Sequence, residues 1–270
     1  MQLLLADIIN VLEELAPPSL AEEWDNVGLQ VGDPRRPVHS AWVALDASPE
    51  VVAAACRSQV DLLITHHPLF FRPVRRIETH TFWGAAAAQA VRHDLAVYSL
   101  HTNLDAAADG LNDWLGRRLG LLRMRPLTTP RGLTRPGRCG IGRVGALAKA
   151  TPLGDLACQV KQRLGAAAVR VAGDPRLRVK RVAVTTGSGG SLVADFLNTE
   201  ADVFISGDLR YHEVRDIEHA RRGAIDVGHF HSEHLMVDLM AQRLRRAFGR
   251  RQARLRVLAC PLEKDPFTVM

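Results

Sequence analysis

Apolar positions along this chain recur with two different periods, and the changes between them mark out its elements. Leu4, Ile8, Leu12 and Leu15 fall at helical spacing and Pro17-Pro18 closes the run, which predicts an amphipathic helix over 3–16. From Ala41 onward, short apolar runs that end in polar residues alternate with helical stretches. Ala41 to Leu45 ends at Asp46, and Ser48-Pro49 opens a helix to about Arg57. Asp61 to Phe71 reads DLLITHHPLFF, a buried strand that stops at His66-His67 and is barred from regular continuation by Pro68. An alanine-rich helix is expected over 79–93. A strand from Ala96 to Leu100 then runs into His101, Thr102, Asn103, Leu104 and Asp105, followed by a helix to about Leu121. The stretch 21–33, AEEWDNVGLQVGD, reads as loop.

The second half repeats this layout. Strands are expected over 140–150, 168–172, 180–185, 202–206, 224–227 and 254–259, with helices over 153–164, 212–222 and 232–247. The alternation predicts an α/β protein of two similar units, each a mixed, mostly parallel sheet covered by helices. The expected division is a first unit over 1–122, a linker or exposed loop over 123–139, rich in Pro, Gly and Arg, and a second unit over 140–270.

Composition changes this picture little. The chain has 270 residues, 47% hydrophobic and 24% charged, which suits a globular protein with a real core. No apolar run reaches membrane-spanning length, and the N-terminus lacks the basic start of a signal peptide, so a cytoplasmic protein without a membrane partner is expected. Cys56, Cys139, Cys158 and Cys260 show no CxxC spacing and support neither a disulfide framework nor a zinc finger; Cys56 and Cys158 are expected on apolar helix faces. The net charge of +6 comes largely from arginines in 117–138 and 243–256. It permits contact with nucleic acid, but no recognition motif or aromatic-interleaved basic patch accompanies it, and a solvated surface accounts for it as well.

The eleven histidines say more. In a parallel sheet, strand carboxyl ends lie along one edge, where ligands and metals bind. Asp46, His66-His67 and His101 all stand at such ends. His101-x-x-x-Asp105 and His229-x-x-x-Glu233 add carboxylates, so the segment from about 224 is expected to complete a site begun in the first half. Each group alone is what an ordinary helix start would carry. Jointly they suit borderline divalent cations such as Zn, Mn, Fe, Co or Ni, and a surplus over three protein ligands suggests two metal ions. If a helix begins at His229, His229 and Glu233 face the same way; if it begins only at Ser232, Gly228 has to turn the loop inward. The TTGSGGSL turn, 185–192, is a candidate anion nest or simply a tight strand-to-helix connection.

The segments EEWDNVGLQVGD, DLLITHHPLFF, SLHTNLD, TTGSGGS, FISGDLRYHE and DVGHFHSE, in this order over nearly the whole chain, resemble the Nif-three-like dinuclear metal-centre family. Many of its members are labelled GTP cyclohydrolase type 2 homologues. The resemblance implies two interleaved α/β domains in a ring-shaped homohexamer. It also implies two divalent metal ions per chain, held by His66, His67, Asp105, His229 and Glu233. The expected function is a metal-dependent hydrolase acting on GTP, another nucleotide or a phosphate-bearing small molecule. His101 is the first candidate for general acid or base, with His212 and His231 behind it. The alternative is a non-catalytic metal-binding protein that serves regulation, metal delivery or contact with nucleic acid or a partner.

Overall fold

The computed structural model describes residues 3–129, 137–250 and 254–270. Its elements in chain order begin with α1 (Leu5–Leu15), β1 (Gly28–Val31), β2 (Ser40–Ala44), α2 (Pro49–Arg57), β3 (Leu62–Thr65), α3 (Phe82–Arg92), β4 (Ala96–Ser99), α4 (Thr102–Ala106) and α5 (Leu111–Arg118). They continue with β5 (Leu122–Pro126), β6 (Arg143–Pro152), α6 (Leu153–Leu164), β7 (Arg170–Ala172), β8 (Arg178–Ser188), α7 (Val193–Leu197) and β9 (Val203–Gly207). The last are α8 (Tyr211–His219), β10 (Gly223–Asp226), α9 (His229–Glu233), α10 (Leu235–Arg250) and β11 (Arg256–Ala259). No helix among the described residues is long and apolar enough to cross a membrane.

The chain forms two compact units, one of Met1–Leu104 with Met236–Glu263, the other of Asp105–Leu235 with Lys264–Met270. The division falls within α4 and at the head of α10 rather than in the Pro/Gly/Arg-rich stretch. Residues 105–121, expected with the first unit, cluster with the second because α5 packs on β6 and β8. β11 returns to the first unit, where it pairs in parallel with β2.

The first unit holds a sheet of order β1-β4-β3-β2-β11. β2, β3 and β4 run parallel and are buried throughout, which is why they read as unbroken apolar runs. Ser48 caps α2, accepting from the Val51 amide at 3.2 Å, and Thr81 caps α3 by accepting from the Gly84 amide at 3.2 Å. Val52, Ala55, Ala86 and Ala90 of these helices close on Leu63 and Val97 of the sheet.

The second unit holds a sheet of order β5-β6-β8-β9-β10-β7. Its centre, β8-β9-β10, is parallel, and β5, β6 and β7 pair antiparallel at the flanks. Both faces are covered, as the period of two requires. Val182, Val184 and Ile205 meet Leu153, Leu156 and Val160 of α6, while Ala183 and Phe204 meet Phe196 and Ile217 on the other side.

Several elements differ from the expectation. The stretch read as loop contains β1, an edge strand antiparallel to β4; all four residues are half-buried, so no alternation marks it. The expected linker begins with β5, whose arginines are tolerated because the strand is a largely exposed edge. Residues 130–136 of that stretch, and 251–253 of the arginine-rich tail, lie outside the described residues. The helix expected to run to Leu121 is two, α4 and α5, and the helix expected from 232 is preceded by α9. Cys158 is exposed, one position off the buried stripe Leu153, Leu156, Ala157 and Val160 of α6.

Candidate metal centre

In the first unit, strand register brings the histidines together. Ala44 pairs with Thr65, and Thr65 with Ser99. Two residues beyond each stand Asp46, His67 and His101, so three equivalent positions of adjacent parallel strands carry polar side chains. His66 and His67 lie in a bend past β3, with amides bonded to the carbonyls of Ala44 and Leu45 at 3.3 and 2.9 Å. The bend lets adjacent side chains converge: the ring centroids of His66 and His67 are 5.2 Å apart, those of His66 and His101 5.2 Å, and those of His67 and His101 5.6 Å. One ligand atom from each of the three lies within 4.8 Å of the others.

Each ring is held through Nδ1. His66 Nδ1 lies 2.7 Å from the Leu100 carbonyl oxygen, His67 Nδ1 2.8 Å from Asp46 Oδ1, and His101 Nδ1 2.9 Å from Asp25 Oδ1. A carbonyl or carboxylate oxygen only accepts, so Nδ1 carries the proton and Nε2 bears the lone pair of the neutral ring. These supports are themselves fixed. Asp25 accepts from the Thr102 amide at 3.0 Å and from the Thr102 hydroxyl. Burial alone would raise the Asp25 carboxyl, but His101 and Thr102 outweigh it and hold the group at about 2. Glu263 accepts from the amides of Leu45 and Asp46 at 2.8 Å each and so props the turn that carries Asp46. Burial pushes the Glu263 carboxyl up, against the pull of those two amides.

In the second unit, α9 begins at His229, with Gly228 as its cap at φ +77°, so His229 and Glu233 share a face. His229 Nε2 is 2.9 Å from Glu233 Oε2, and His229 Nδ1 is 2.9 Å from Asp208 Oδ2 at the end of β9. Glu233 is buried at 3% exposure. Beside it, β8 loses register: Val184 pairs with Ile205, but Ser188 pairs with Gly207. This bulge re-aims Thr186 and Gly187. The Thr186 hydroxyl donates to Asp105 Oδ1 at 2.7 Å, and its amide donates to Asn112 Oδ1 at 3.0 Å. The Gly187 amide donates to the Ser232 hydroxyl at 2.9 Å. Gly187 has φ +60°, and a Cβ there would stand 2.1 Å from Glu233 Oε1, so two constraints require glycine.

The donor set fits a borderline divalent cation: imidazole Nε2 atoms and carboxylate oxygens, with no thiolate, each imidazole anchored from behind by an oxygen. Of the acid–base candidates, His101 sits within the histidine group. His212 is exposed at the head of α8 with its ring 5.3 Å from Tyr211, and His231 Nε2 lies 3.1 Å from Asp265 Oδ2; both are outside any such group among the described residues. The TTGSGGSL turn is not an open anion nest, because a Cβ at Gly190 would meet the Glu213 carboxylate at 2.4 Å. Sequence reasoning placed Asp46 at the strand edge that carries the site without giving it a role, and gave Asp25 and Asp208 none. Asp46 and Asp208 each follow a strand, which was a usable signal; Asp25 lies in a segment with no such mark.

A sequence model of the Duf34/NIF3 (NGG1p interacting factor 3) family matches residues 3–266. A Clostridium perfringens protein named GTP cyclohydrolase 1 type 2 homolog is 34% identical over 268 residues, covering 97% of this chain and 98% of the relative. A Streptomyces coelicolor protein of the same name is 36% identical over 267 residues, covering 98% and 93%. Among solved structures, a Bacillus cereus protein related to NIF3 superposes with a TM-score of 0.93 over the whole of both chains at 24% identity. A family match over nearly the full length, relatives above 30% identity and a shared fold together place this chain in the DUF34/NIF3 family.

Proposed function

We propose that this protein is a metal-dependent hydrolase with a dinuclear centre, its two divalent ions held by His66, His67, Asp105, His229 and Glu233. The observation that supports it most is the anchoring of the imidazole Nδ1 atoms of His66 and His67 by Leu100 and Asp46, which leaves Nε2 as their donor atom. Two such ions, when bound, supply Lewis acidity that lowers the pKa of water and polarises an electrophilic centre. Glu233, buried, would be one of the carboxylates that hold them. His101, fixed by Asp25, offers Nε2 either as a further ligand or as the atom that takes and gives a proton, and of the three acid–base candidates it is the one grouped with other ligand atoms. The names of the curated relatives favour GTP as the first substrate to try, with ring opening at guanine C8, and other nucleotides and phosphoesters next. We further propose a cytoplasmic homohexamer.

The family description, an interacting factor, favours one other reading: a metal-binding protein that acts through a macromolecular partner. Asp105→Ala and Glu233→Ala separate the two. A hydrolase loses turnover while it keeps its fold and oligomer; a structural metal site loses thermal stability or oligomer instead. The first measurement is metal per chain by elemental analysis, on untagged protein prepared without chelator. About two divalent ions per chain, lost in His67→Ala/Glu233→Ala, support the proposal. No stoichiometric metal after reconstitution with Zn, Mn, Fe, Co or Ni, or full turnover in Asp105→Ala, overturns it.

A further inference from the structure

Two large aromatic side chains stand beside the histidine group, where burial would be expected of them. Trp24 is 58% exposed and Phe71 48% exposed. Their rings stack on each other at 5.6 Å between centroids and 30° between planes. Both also pack at a steep angle against the His101 ring, with centroids 5.9 Å away for Trp24 and 5.5 Å for Phe71. All of these residues belong to the first unit.

The loops that carry the pair are tied together. The Asn26 amide group donates to the Phe70 carbonyl oxygen at 2.7 Å and to Gln30 Oε1 at 3.1 Å, and Gln30 Oε1 accepts from the Phe70 amide at 3.4 Å. Asn26 thereby joins the segment before β1 to the segment after β3. Glu22 and Asp25, on either side of Trp24, are both bonded to Thr102. The backbone that carries Trp24 and Phe71 is therefore tied down before any ligand arrives, which lowers the ordering cost of binding.

We propose that Trp24 and Phe71 form a stacking wall for the planar heteroaromatic ring of a small molecule, a nucleobase or a ring of similar size, at the rim of the His66–His67–His101 group. This inference deepens the hydrolase reading by assigning a substrate class to the same site. An aromatic face gains most from a flat, polarisable partner laid against it, and such stacking tolerates different bases because every base has a π-face. His101 beside the wall adds a polar group next to the ring, as binding sites for planar ligands do. A wall of two side chains is the size of one ring and far below the roughly 1,000 Å² that a stable protein interface buries.

The test uses full-length protein, metal-loaded and chelator-treated, titrated with guanosine, adenosine, uridine and ribose 5-phosphate. Equilibrium dialysis and tryptophan fluorescence are the readouts. The expected result is saturable binding of the nucleosides, purines tighter than uridine, in both metal states, with quenching that disappears in Trp24→Leu. Trp24→Leu and Phe71→Leu each weaken nucleoside binding about tenfold or more, Trp24→Phe restores most of it, and all three keep the wild-type metal content and unfolding temperature. Trp83→Leu, which removes another exposed tryptophan, leaves binding unchanged. Nucleoside binding no tighter than that of ribose 5-phosphate overturns the proposal. So does full nucleoside affinity in Trp24→Leu, or a change of oligomeric state as that variant's only effect. Because binding is read without metal, ring binding without hydrolysis refutes the hydrolase reading alone, and metal-dependent hydrolysis without ring binding refutes the stacking wall alone.

Discussion

Two of the histidines proposed as ligands are held by acidic neighbours. Asp46 fixes His67 and Asp208 fixes His229, both through Nδ1 and both from partly exposed positions. Asp46→Ala and Asp208→Ala are therefore expected to fold normally yet bind metal about 10- to 100-fold more weakly, as read by competition with a chromophoric chelator. Asp25 differs, since its side chain is 1% exposed and bonded to His101 and Thr102. Its carboxyl, held at about 2 against an ordinary 3.8, contributes stability that is present above the ordinary value and lost as the pH falls toward 2. In chelator-treated protein, the acid limb of a stability-against-pH curve should be shallower for Asp25→Asn than for wild type across that window. Parallel limbs would mean that Asp25 titrates in the folded protein as it does in the unfolded chain.

Among the elements, α5 and β6 are joined by a charge buried almost completely. Arg143 is 1% exposed, and its guanidinium bonds Asp113 at 2.7 and 2.9 Å and the carbonyls of Ala107 and Gly142 at 2.9 and 2.8 Å. Removing one partner leaves the others desolvated and unmatched, so Arg143→Met should cost about 3–5 kcal/mol in denaturant unfolding. Replacing both, Arg143→Met with Asp113→Leu, should recover much of that loss, because the paired charges were costly to bury in the first place. A double variant as unstable as the single one would show that the carbonyl partners, not Asp113, carry the energy.

For the molecule as a whole, each unit has its own core. Bound ions stabilise whatever fold presents their ligands, by about 2.7 kcal/mol when free metal stands at a hundred times its dissociation constant. Chelation is therefore expected to lower the unfolding temperature of the wild-type protein and to leave that of Glu233→Ala, which starts without the full ligand set, nearly unchanged. Equal shifts in the two proteins would place the stabilising metal elsewhere.

The sequence alone determined those features that rest on local pattern. Buried parallel strands show as unbroken apolar runs, Ser48-Pro49 announces α2, and imidazoles with carboxylates at strand ends mark groups that could hold a metal ion. Tertiary structure decided what depends on partners distant along the chain. The register of Ala44, Thr65 and Ser99 aligns Asp46, His67 and His101, and no local pattern encodes it. Asp25 reaches His101 across 76 residues, and Thr186 reaches Asp105 across 81. The edge strands β1 and β5 owe their existence to hydrogen bonds from a neighbouring strand rather than to their own residues, and the bulge in β8 that turns Thr186 and Gly187 exists only against β9. Side-chain chemistry is carried in each residue, so the kinds of side chain at the strand ends were legible; their geometry is set by long-range pairing, which only the folded chain supplies.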